Sequence, residues 1–203
     1  MTRVDVIIPC YNYGSMLEAC VASVVSQEGV AVRVMIVDDA STDGTEAIGR
    51  RLAAADPRVE YCRHEDNWGH IPSYNEALSR VTADYCIILS ADDLLTPRSL
   101  MRATRVMDAH PDVSLGYGRD VTFRHAPPAT GSFPTHCSYR IMDYVEFLDR
   151  SCAQGHTGIQ APAAIVRSSA HHEVGGYLPE LPHSGDTEIW LRLAAHGRVV
   201  ELG

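Results

Sequence analysis

Two pairs of aspartates, each placed after a short apolar run, are the residues of this sequence best suited to chemistry. Asp38 and Asp39 end one run, and Asp92 and Asp93 closely follow another. Such runs are typical of buried strands, and ligands of open α/β sheets bind at the carboxyl ends of strands. Carboxylate pairs gathered at one edge repel each other unless a cation or a hydrogen-bond donor lies between them. A divalent metal carrying a nucleotide diphosphate, together with sugar hydroxyls, would satisfy both requirements.

Strand and helix patterns alternate through the first part of the chain. Ser15 and Glu18 match a capping box at one helix start, and Thr42 or Asp43 is expected to cap the next helix. The alternation predicts βαβ units and a mostly parallel sheet. We predict strands over residues 4–8, 32–37, 59–62, 85–89 and 113–117, and helices over residues 15–29, 43–55, 73–81 and 99–109.

The second part of the chain has a mixed pattern. Residues 124–139 are rich in Pro and Gly and are predicted to form a loop. They are followed by a predicted helix near residues 143–148, a strand near 163–166, a short helix over 168–174 and a final helix over 186–196. We therefore expect one α/β domain over residues 1–203, whose mixed second half completes the fold.

Composition limits the class of protein. The chain has 203 residues, which is enough for one core and short for two full domains. Its 17 basic and 26 acidic residues give a formal charge of -9, which argues against a nucleic-acid partner. Six cysteines without Cys-x-x-Cys spacing favour a reducing compartment. We expect a cytoplasmic protein, with the inner face of the membrane as an alternative position, because no apolar run reaches the roughly 18 residues of a transmembrane segment.

Five short motifs follow one another in a fixed order. They are Pro9-Cys10-Tyr11-Asn12, the segment 37–45 with sequence VDDASTDGT, Asn67 and Gly69 followed by Asn75 and Ala77, Ala91-Asp92-Asp93, and the segment 186–193 with sequence DTEIWLRL. Together they resemble the motifs of the inverting family 2 glycosyltransferases. The resemblance implies the GT-A fold, a Rossmann-like α/β architecture. It also implies a nucleotide-binding half over about residues 1–120 and a smaller, mixed acceptor-side half over about residues 121–203.

The resemblance places a nucleotide-sugar donor at the first aspartate pair. It implies that Pro9 and Tyr11 line the base pocket, where an aromatic ring offers a stacking face. Asp39 is expected to accept hydrogen bonds from the base or ribose. Asn67 is expected to contribute to the same site, and Asp92 to contact the ribose or a metal-bound water. A tyrosine that only caps the sheet edge is the alternative for Tyr11.

The same resemblance makes Asp93 the expected metal ligand. Mg²⁺ and Mn²⁺ prefer carboxylate, phosphate and water oxygens, so one protein carboxylate can suffice. In the common form of the motif an aspartate precedes Ala91, whereas this chain has Ser90 there. A helix N-cap is the alternative role for the second pair. Asp38 is expected to brace its turn rather than to bind a ligand.

Asp186 is the expected catalytic base. Inverting transfer to an alcohol needs a carboxylate that accepts the acceptor's proton. A simple helix N-cap is the alternative, and the family often has an acidic residue where this chain has Gly185. Glu188 lies about 200° around the helix from Asp186 and is expected to point elsewhere.

Other polar and aromatic residues leave alternatives open. Four histidines of the second half are candidates for the acceptor side: His156, His171, His172 and His183. An exposed loop position is favoured for His183, although a metal or acceptor role is open. Trp190 is expected in the core, whereas Trp68 lies in a loop and is a candidate for contact with a sugar or a partner.

We therefore expect an enzyme that moves one sugar from a nucleotide-diphosphate-sugar, with a UDP-sugar favoured, to a glycan or lipid-linked acceptor in polysaccharide biosynthesis. The expected cofactor is Mg²⁺ or Mn²⁺. A non-catalytic nucleotide-sugar-binding module is the alternative, which Ser90 and the short C-terminus favour. Family members continue beyond the last helix, so a truncated catalytic domain is one interpretation. The oligomeric state is not predicted.

Overall fold

The computed structural model describes residues 1–124 and 138–203. Within these ranges the strands are β1 (Arg3–Cys10), β2 (Ala31–Asp38), β3 (Val59–Arg63), β4 (Tyr85–Ile88), β5 (Val113–Tyr117), β6 (Tyr139–Met142), β7 (Ala164–Arg167) and β8 (Arg198–Leu202). The α-helices are α1 (Gly14–Val25), α2 (Thr45–Ala55), α3 (His70–Ser79), α4 (Ser99–Ala109), α5 (Tyr144–Gln154), α6 (Ser168–Val174) and α7 (Gly185–His196).

All eight strands belong to one sheet with the order β3-β2-β1-β4-β7-β5-β8-β6. The first four are mutually parallel, as are β5 and β8. The antiparallel strand β7 lies between β4 and β5, and the antiparallel strand β6 ends the sheet beside β8. This is the predicted α/β architecture: a parallel first half joined through one continuous sheet to a mixed second half.

Helices cover both faces of the sheet, which explains why its central strands are apolar on both sides. In β1, Val6 and Ile8 face one core cluster and Ile7 faces the other. Side chains at helical spacing complete each cluster, for example Leu17 from α1 on one face and Leu193 from α7 on the other. Because both faces of the sheet are covered, only the ends of the strands and the loops between elements can form a ligand-binding site.

The ends of several elements differ from the predictions. α3 begins at His70, three residues earlier than expected, because Pro72 falls in the first turn, where a missing N–H breaks no helical hydrogen bond. Strands β6 and β8 were not predicted, since short segments at a sheet margin carry little periodic signal. The predicted loop over residues 124–139 lies mostly outside the described residues.

The predicted capping box at Ser15 is wrong. α1 begins at Gly14, and no side chain caps it from the N-cap position. A Cβ on Gly14 would lie 2.9 Å from the backbone nitrogen of Thr45, so the helix start packs tightly against the start of α2. Asp43 serves both helices, because its carboxylate accepts hydrogen bonds from the Gly14 N–H at 3.1 Å and the Thr45 N–H at 2.9 Å.

No described helix has both the length and the apolar character needed to cross a bilayer. Five cysteines among the described residues are free thiols: Cys10, Cys20, Cys62, Cys86 and Cys152. Cys137 lies outside the described residues.

Asp43→Ala should lower the free energy of unfolding by about 1–2 kcal/mol, because it removes the acceptor that serves two helix starts. The matched variant Ser15→Ala should change it by less than about 0.5 kcal/mol, since Ser15 is exposed within α1. Urea denaturation of both variants measures the difference. If Ser15→Ala lowered the free energy of unfolding as much as Asp43→Ala, Ser15 would have to cap α1 after all.

Candidate donor and acceptor site

The predicted site residues of the first half gather at one edge of the sheet. Strands β2, β1 and β4 are neighbours and run parallel, so the segments that follow them emerge side by side. Cys10 pairs with Asp38 at the last register position of β1 and β2. Tyr11 follows β1 and is 47% exposed, whereas Pro9 is half-buried. The structure therefore places Tyr11, Asp39 and the second aspartate pair along the same carboxyl edge, where ligands of such sheets bind.

Asp38 braces the turn after β2, as predicted. It is fully buried, and its carboxylate accepts hydrogen bonds from the Ser41 N–H at 2.9 Å and the Tyr61 hydroxyl at 2.5 Å. Burial, and then the adjacent Asp38, raise the pKa of Tyr61, so its hydroxyl stays protonated and donates. The first aspartate of the pair thus stabilises the loop and does not face a ligand.

Asp39 has more protein contacts than the sequence indicates. Its carboxylate accepts hydrogen bonds from the backbone N–H groups of Trp68 and Gly69, each at 2.8 Å, and lies 2.8 Å from Nδ1 of His64. Burial opposes ionisation of Asp39, but these hydrogen bonds outweigh it, and its pKa lies below the usual range. Asp39 is therefore an ionised group that fixes the neighbouring loop, and its expected contact with a nucleoside stays a prediction.

The loop between β3 and α3 is shaped by Asn67. Its amide donates to the Asp39 carbonyl at 3.1 Å, and its side-chain oxygen accepts from the Gly69 N–H at 3.1 Å. Gly69 has φ of 82°, a conformation that other residues adopt at a cost. Trp68 is 53% exposed and stacks on His64 with ring centroids 3.9 Å apart. The loop thus presents one face of an aromatic ring to solvent beside Asp39.

The second aspartate pair carries unbalanced negative charge. Burial raises the pKa of Asp93, and the charges of Asp92 and Asp120 add to the effect, while a hydrogen bond from the Ser90 side chain opposes it. Asp120 follows β5 and was missed by the sequence analysis, because no motif marks it. Where the common form of the motif has an aspartate, Ser90 provides a hydroxyl, which can donate a hydrogen bond. Among the residues that the structure describes, these carboxylates form no ion pair with a basic side chain.

This cluster fits a hard divalent cation that is shared with a ligand. Carboxylate oxygens are the donors that Mg²⁺ and Mn²⁺ prefer. Within the described part of the chain, however, no three acidic, histidine or cysteine side chains converge closely enough to hold a metal alone. Asp93 would hold the ion with phosphate oxygens and water completing the shell, which is the arrangement Mg²⁺ commonly adopts.

Asp186 lies exposed in the first turn of α7, next to a buried tyrosine. Burial, and then the charge of Asp186 and a hydrogen bond with it, raise the pKa of Tyr177 well above its usual value, so the phenol stays protonated beside the carboxylate. A Cβ on Gly185 would lie 3.0 Å from the Tyr177 ring, so glycine permits this approach. Glu188 is instead paired with Arg192 at 2.7 Å, which confirms that it points elsewhere.

Helix α3 links the Asp39 loop to the Asp186 region. Asn75 exchanges two hydrogen bonds of 2.8 Å with the backbone of Tyr177. At the start of the same helix, Nε2 of His70 lies 2.9 Å from the Pro182 carbonyl. The helix that begins at the donor-side loop therefore also holds the segment that leads to Asp186.

Trp190 and the four candidate histidines of the second half differ in burial. Trp190 and His171 are buried, and burial lowers the pKa of His171 to about 4, so it is neutral. His156, His172 and His183 are exposed. The core position predicted for Trp190 is confirmed.

The comparisons with known proteins agree with this geometry. Residues 5–175 match the family described as glycosyl transferase family 2. The chain belongs to this family. It is 33% identical over 96% of its length to the putative glycosyltransferase EpsE of Bacillus subtilis, and 30% identical over 95% of its length to the succinoglycan biosynthesis protein ExoA of Rhizobium meliloti. It covers 68% of the first relative and 58% of the second.

Solved structures show that this family 2 glycosyltransferase domain has the GT-A fold. A mannosyltransferase from Pyrobaculum calidifontis, in complex with GDP-Man and Mn²⁺, superposes with a TM-score of 0.73 at 21% identity and covers 97% of the chain. The TarS protein of S. aureus, residues 1–349 in complex with UDP-GlcNAc, gives a TM-score of 0.74 at 20% identity over 99% of the chain. The chain spans 53% and 56% of those two structures.

Tyr61→Phe should lower the free energy of unfolding by about 1–3 kcal/mol, because it removes a hydrogen bond to the fully buried Asp38 carboxylate. Tyr13→Phe, at an exposed tyrosine in the same region, should leave stability unchanged. Thermal and urea unfolding of the two variants make the comparison. Equal stabilities would show that Tyr61 does not support Asp38.

Proposed function

We propose that this domain is an inverting, metal-dependent glycosyltransferase that moves one sugar from a nucleotide-diphosphate-sugar to an acceptor hydroxyl. The observation that carries the proposal is the separation of its carboxylates into two sets. Asp92, Asp93 and Asp120 concentrate negative charge at the end of β4 and β5, where a diphosphate needs a cation. Asp186 lies apart from them in the first turn of α7, exposed and beside the protonated phenol of Tyr177, as a proton acceptor should be.

The proposed donor lies along the carboxyl edge of β1, β2 and β4. Tyr11 provides an exposed ring for the base, and Pro9, Asn67 and Asp39 are the other proposed contacts of the nucleoside. Asp92 is exposed and is the proposed ribose contact. The mannosyltransferase neighbour contains GDP-Man and the TarS neighbour contains UDP-GlcNAc, which supports a nucleotide-sugar. A UDP-sugar is the donor we propose.

Asp93 is the proposed protein ligand of Mg²⁺ or Mn²⁺, and the neighbouring mannosyltransferase structure contains Mn²⁺. When bound, the cation would neutralise charge on the departing diphosphate. The hydrogen bond from Ser90 would orient the Asp93 carboxylate for that role. Asp120 would add negative potential that favours a cation over a neutral ligand.

Asp186 is the proposed catalytic base. Its carboxylate would take the proton of the acceptor hydroxyl while the oxygen bonds to the anomeric carbon and the bond to the diphosphate breaks on the opposite face. Tyr177 would hold the carboxylate in place through its phenol, and Asn75 holds the backbone of Tyr177. Correct placement matters, because a small displacement of a reacting group lowers the rate steeply.

A glycan or a lipid-linked sugar is the proposed acceptor, in the synthesis of a polysaccharide. The support is the relation to EpsE and to the succinoglycan biosynthesis protein ExoA. Addition of a single sugar is part of the proposal.

Asp186→Asn should reduce transfer by about 100- to 10,000-fold while donor affinity stays unchanged, because only proton acceptance is lost. The assay is transfer and hydrolysis from a panel of UDP-, GDP-, dTDP- and CDP-sugars with Mn²⁺, alongside donor affinity by calorimetry. Glu173→Gln, which changes an exposed carboxylate on α6, is the matched control and should behave as wild type.

If the wild type bound a donor without transferring or hydrolysing it, the proposed transferase activity would be contradicted. A non-catalytic nucleotide-sugar-binding module would then be favoured. Full activity in Asp186→Asn would instead exclude Asp186 as the base while leaving the transferase in place.

A further inference from the structure

His64 lies at the centre of the donor-side loop, although no motif marks it. It directly follows β3, is 5% exposed, and lies against the inner face of the Trp68 ring. Nδ1 lies 2.8 Å from Oδ1 of Asp39, and Nε2 lies 3.1 Å from Oε2 of Glu76. The ring is therefore clamped between carboxylates from the end of β2 and from α3.

This geometry fixes the charge of the ring. A neutral imidazole has one donor nitrogen and one acceptor nitrogen, whereas an imidazolium donates from both. With a carboxylate oxygen on each side, a neutral ring would point a lone pair at one of them. Only the imidazolium makes both hydrogen bonds.

Two basic side chains lie near His64, and their positive charges oppose protonation of the ring. Arg80, one turn after Glu76 on α3, lies 3.7 Å from the other oxygen of Glu76. On β3, Arg63 donates to the His64 backbone carbonyl at 3.1 Å. Burial disfavours the charged ring, but the bonds to Asp39 and Glu76 outweigh it, and the pKa of His64 lies above its usual 6.5.

Loss of the proton would disturb the groups that surround the proposed donor. The oxygen of Asp39 that faces His64 also accepts the Trp68 N–H, and the Trp68 ring rests on the imidazole. A neutral ring would release one carboxylate and remove the positive charge that balances the buried Asp39. Asp39 and Trp68 would then lose their common support.

We propose that the imidazolium of His64 is a positioning residue of the donor site, which holds Asp39 and Trp68 in the arrangement that binds the nucleotide-sugar. Donor affinity therefore falls as the ring loses its proton. The inference rests on the proposed function, because it takes the Asp39 edge as the donor site.

The direction of the pH dependence follows from the raised pKa. A group of this kind contributes fully below its usual value of 6.5 and loses its contribution as the pH rises through its value in the folded protein. Donor affinity should be constant in mildly acid solution and should decline in neutral to alkaline solution.

The test is calorimetric titration of the full chain with UDP-GlcNAc and with GDP-mannose, each with Mg²⁺, from about pH 6 to about pH 8.5. In the wild type the dissociation constant should rise toward the alkaline end of this range, by about tenfold once the ring is neutral, as expected for loss of one charged hydrogen bond. His64→Gln should bind about tenfold more weakly at pH 6 and show no such rise.

One further variant tests whether the charge of the His64 ring, rather than its packing, determines donor affinity, and another serves as a control. Glu76→Gln keeps the ring but removes one carboxylate, so affinity should begin to fall at a lower pH than in the wild type. His110→Gln should match the wild type throughout, because His110 follows α4 at the opposite edge of the sheet. Glu76→Gln also supplies the pH readout if His64→Gln does not fold.

NMR of the imidazole nitrogens in the free protein tests the charge without any donor. Both nitrogens of His64 should be protonated at neutral pH, and a neutral tautomer there would overturn the inference. A wild-type affinity independent of pH, or shared by His64→Gln, would also overturn it and leave the proposed function standing. Absence of donor binding at every pH, with His64 still charged by NMR, would contradict the proposed function and the donor role together.

Discussion

The hydrogen bonds to the Asp39 carboxylate join parts of the chain that lie far apart in sequence. Backbone N–H groups of Trp68 and Gly69 and the ring of His64 all point to this one side chain at the end of β2. The loop that they fix leads directly into α3, which begins at His70. α3 in turn holds the backbone of Tyr177, whose pKa is raised by burial and by the charge of the nearby Asp186. The donor side and the proposed base are thus positioned through a single carboxylate and a short helix.

The two aspartate pairs lie in opposite electrostatic environments. The first pair is satisfied inside the protein, because Asp38 accepts hydrogen bonds from Tyr61 and Ser41, and Asp39 lies 2.8 Å from a ring nitrogen of His64. The second pair has acidic neighbours, and burial, followed by repulsion from Asp92, raises the pKa of Asp93. A cation bound together with a phosphorylated ligand would relieve this repulsion. The relief would stabilise the bound state relative to the free protein.

Much of the fold and the broad location of the site could be predicted from sequence. The apolar runs before Asp38 and Asp92 are long enough to be buried strands, and the alternation of strands and helices led to the parallel half of the sheet. Trp190 was placed in the core because of its helical spacing. These features depend on local periodicity, which one sequence carries in full.

The features that were missed depend on contacts between distant segments. His64 and Asp120 gain their importance only when β2, α3, β4 and β5 are brought together, and no local pattern marks either residue. The capping box at Ser15 failed for a related reason: Asp43, nearly thirty residues away from Gly14, supplies the acceptor. Strand β8 likewise needs β5 and β6 as partners before its five residues become a strand.

The most direct test of this account is anomalous diffraction from crystals grown with UDP and Mn²⁺. The account predicts a manganese peak within about 2.5 Å of an Asp93 carboxylate oxygen. It also predicts that the nucleoside lies between Tyr11 and the loop held by Asp39. A manganese peak away from Asp93, or a nucleoside bound elsewhere on the domain, would contradict it.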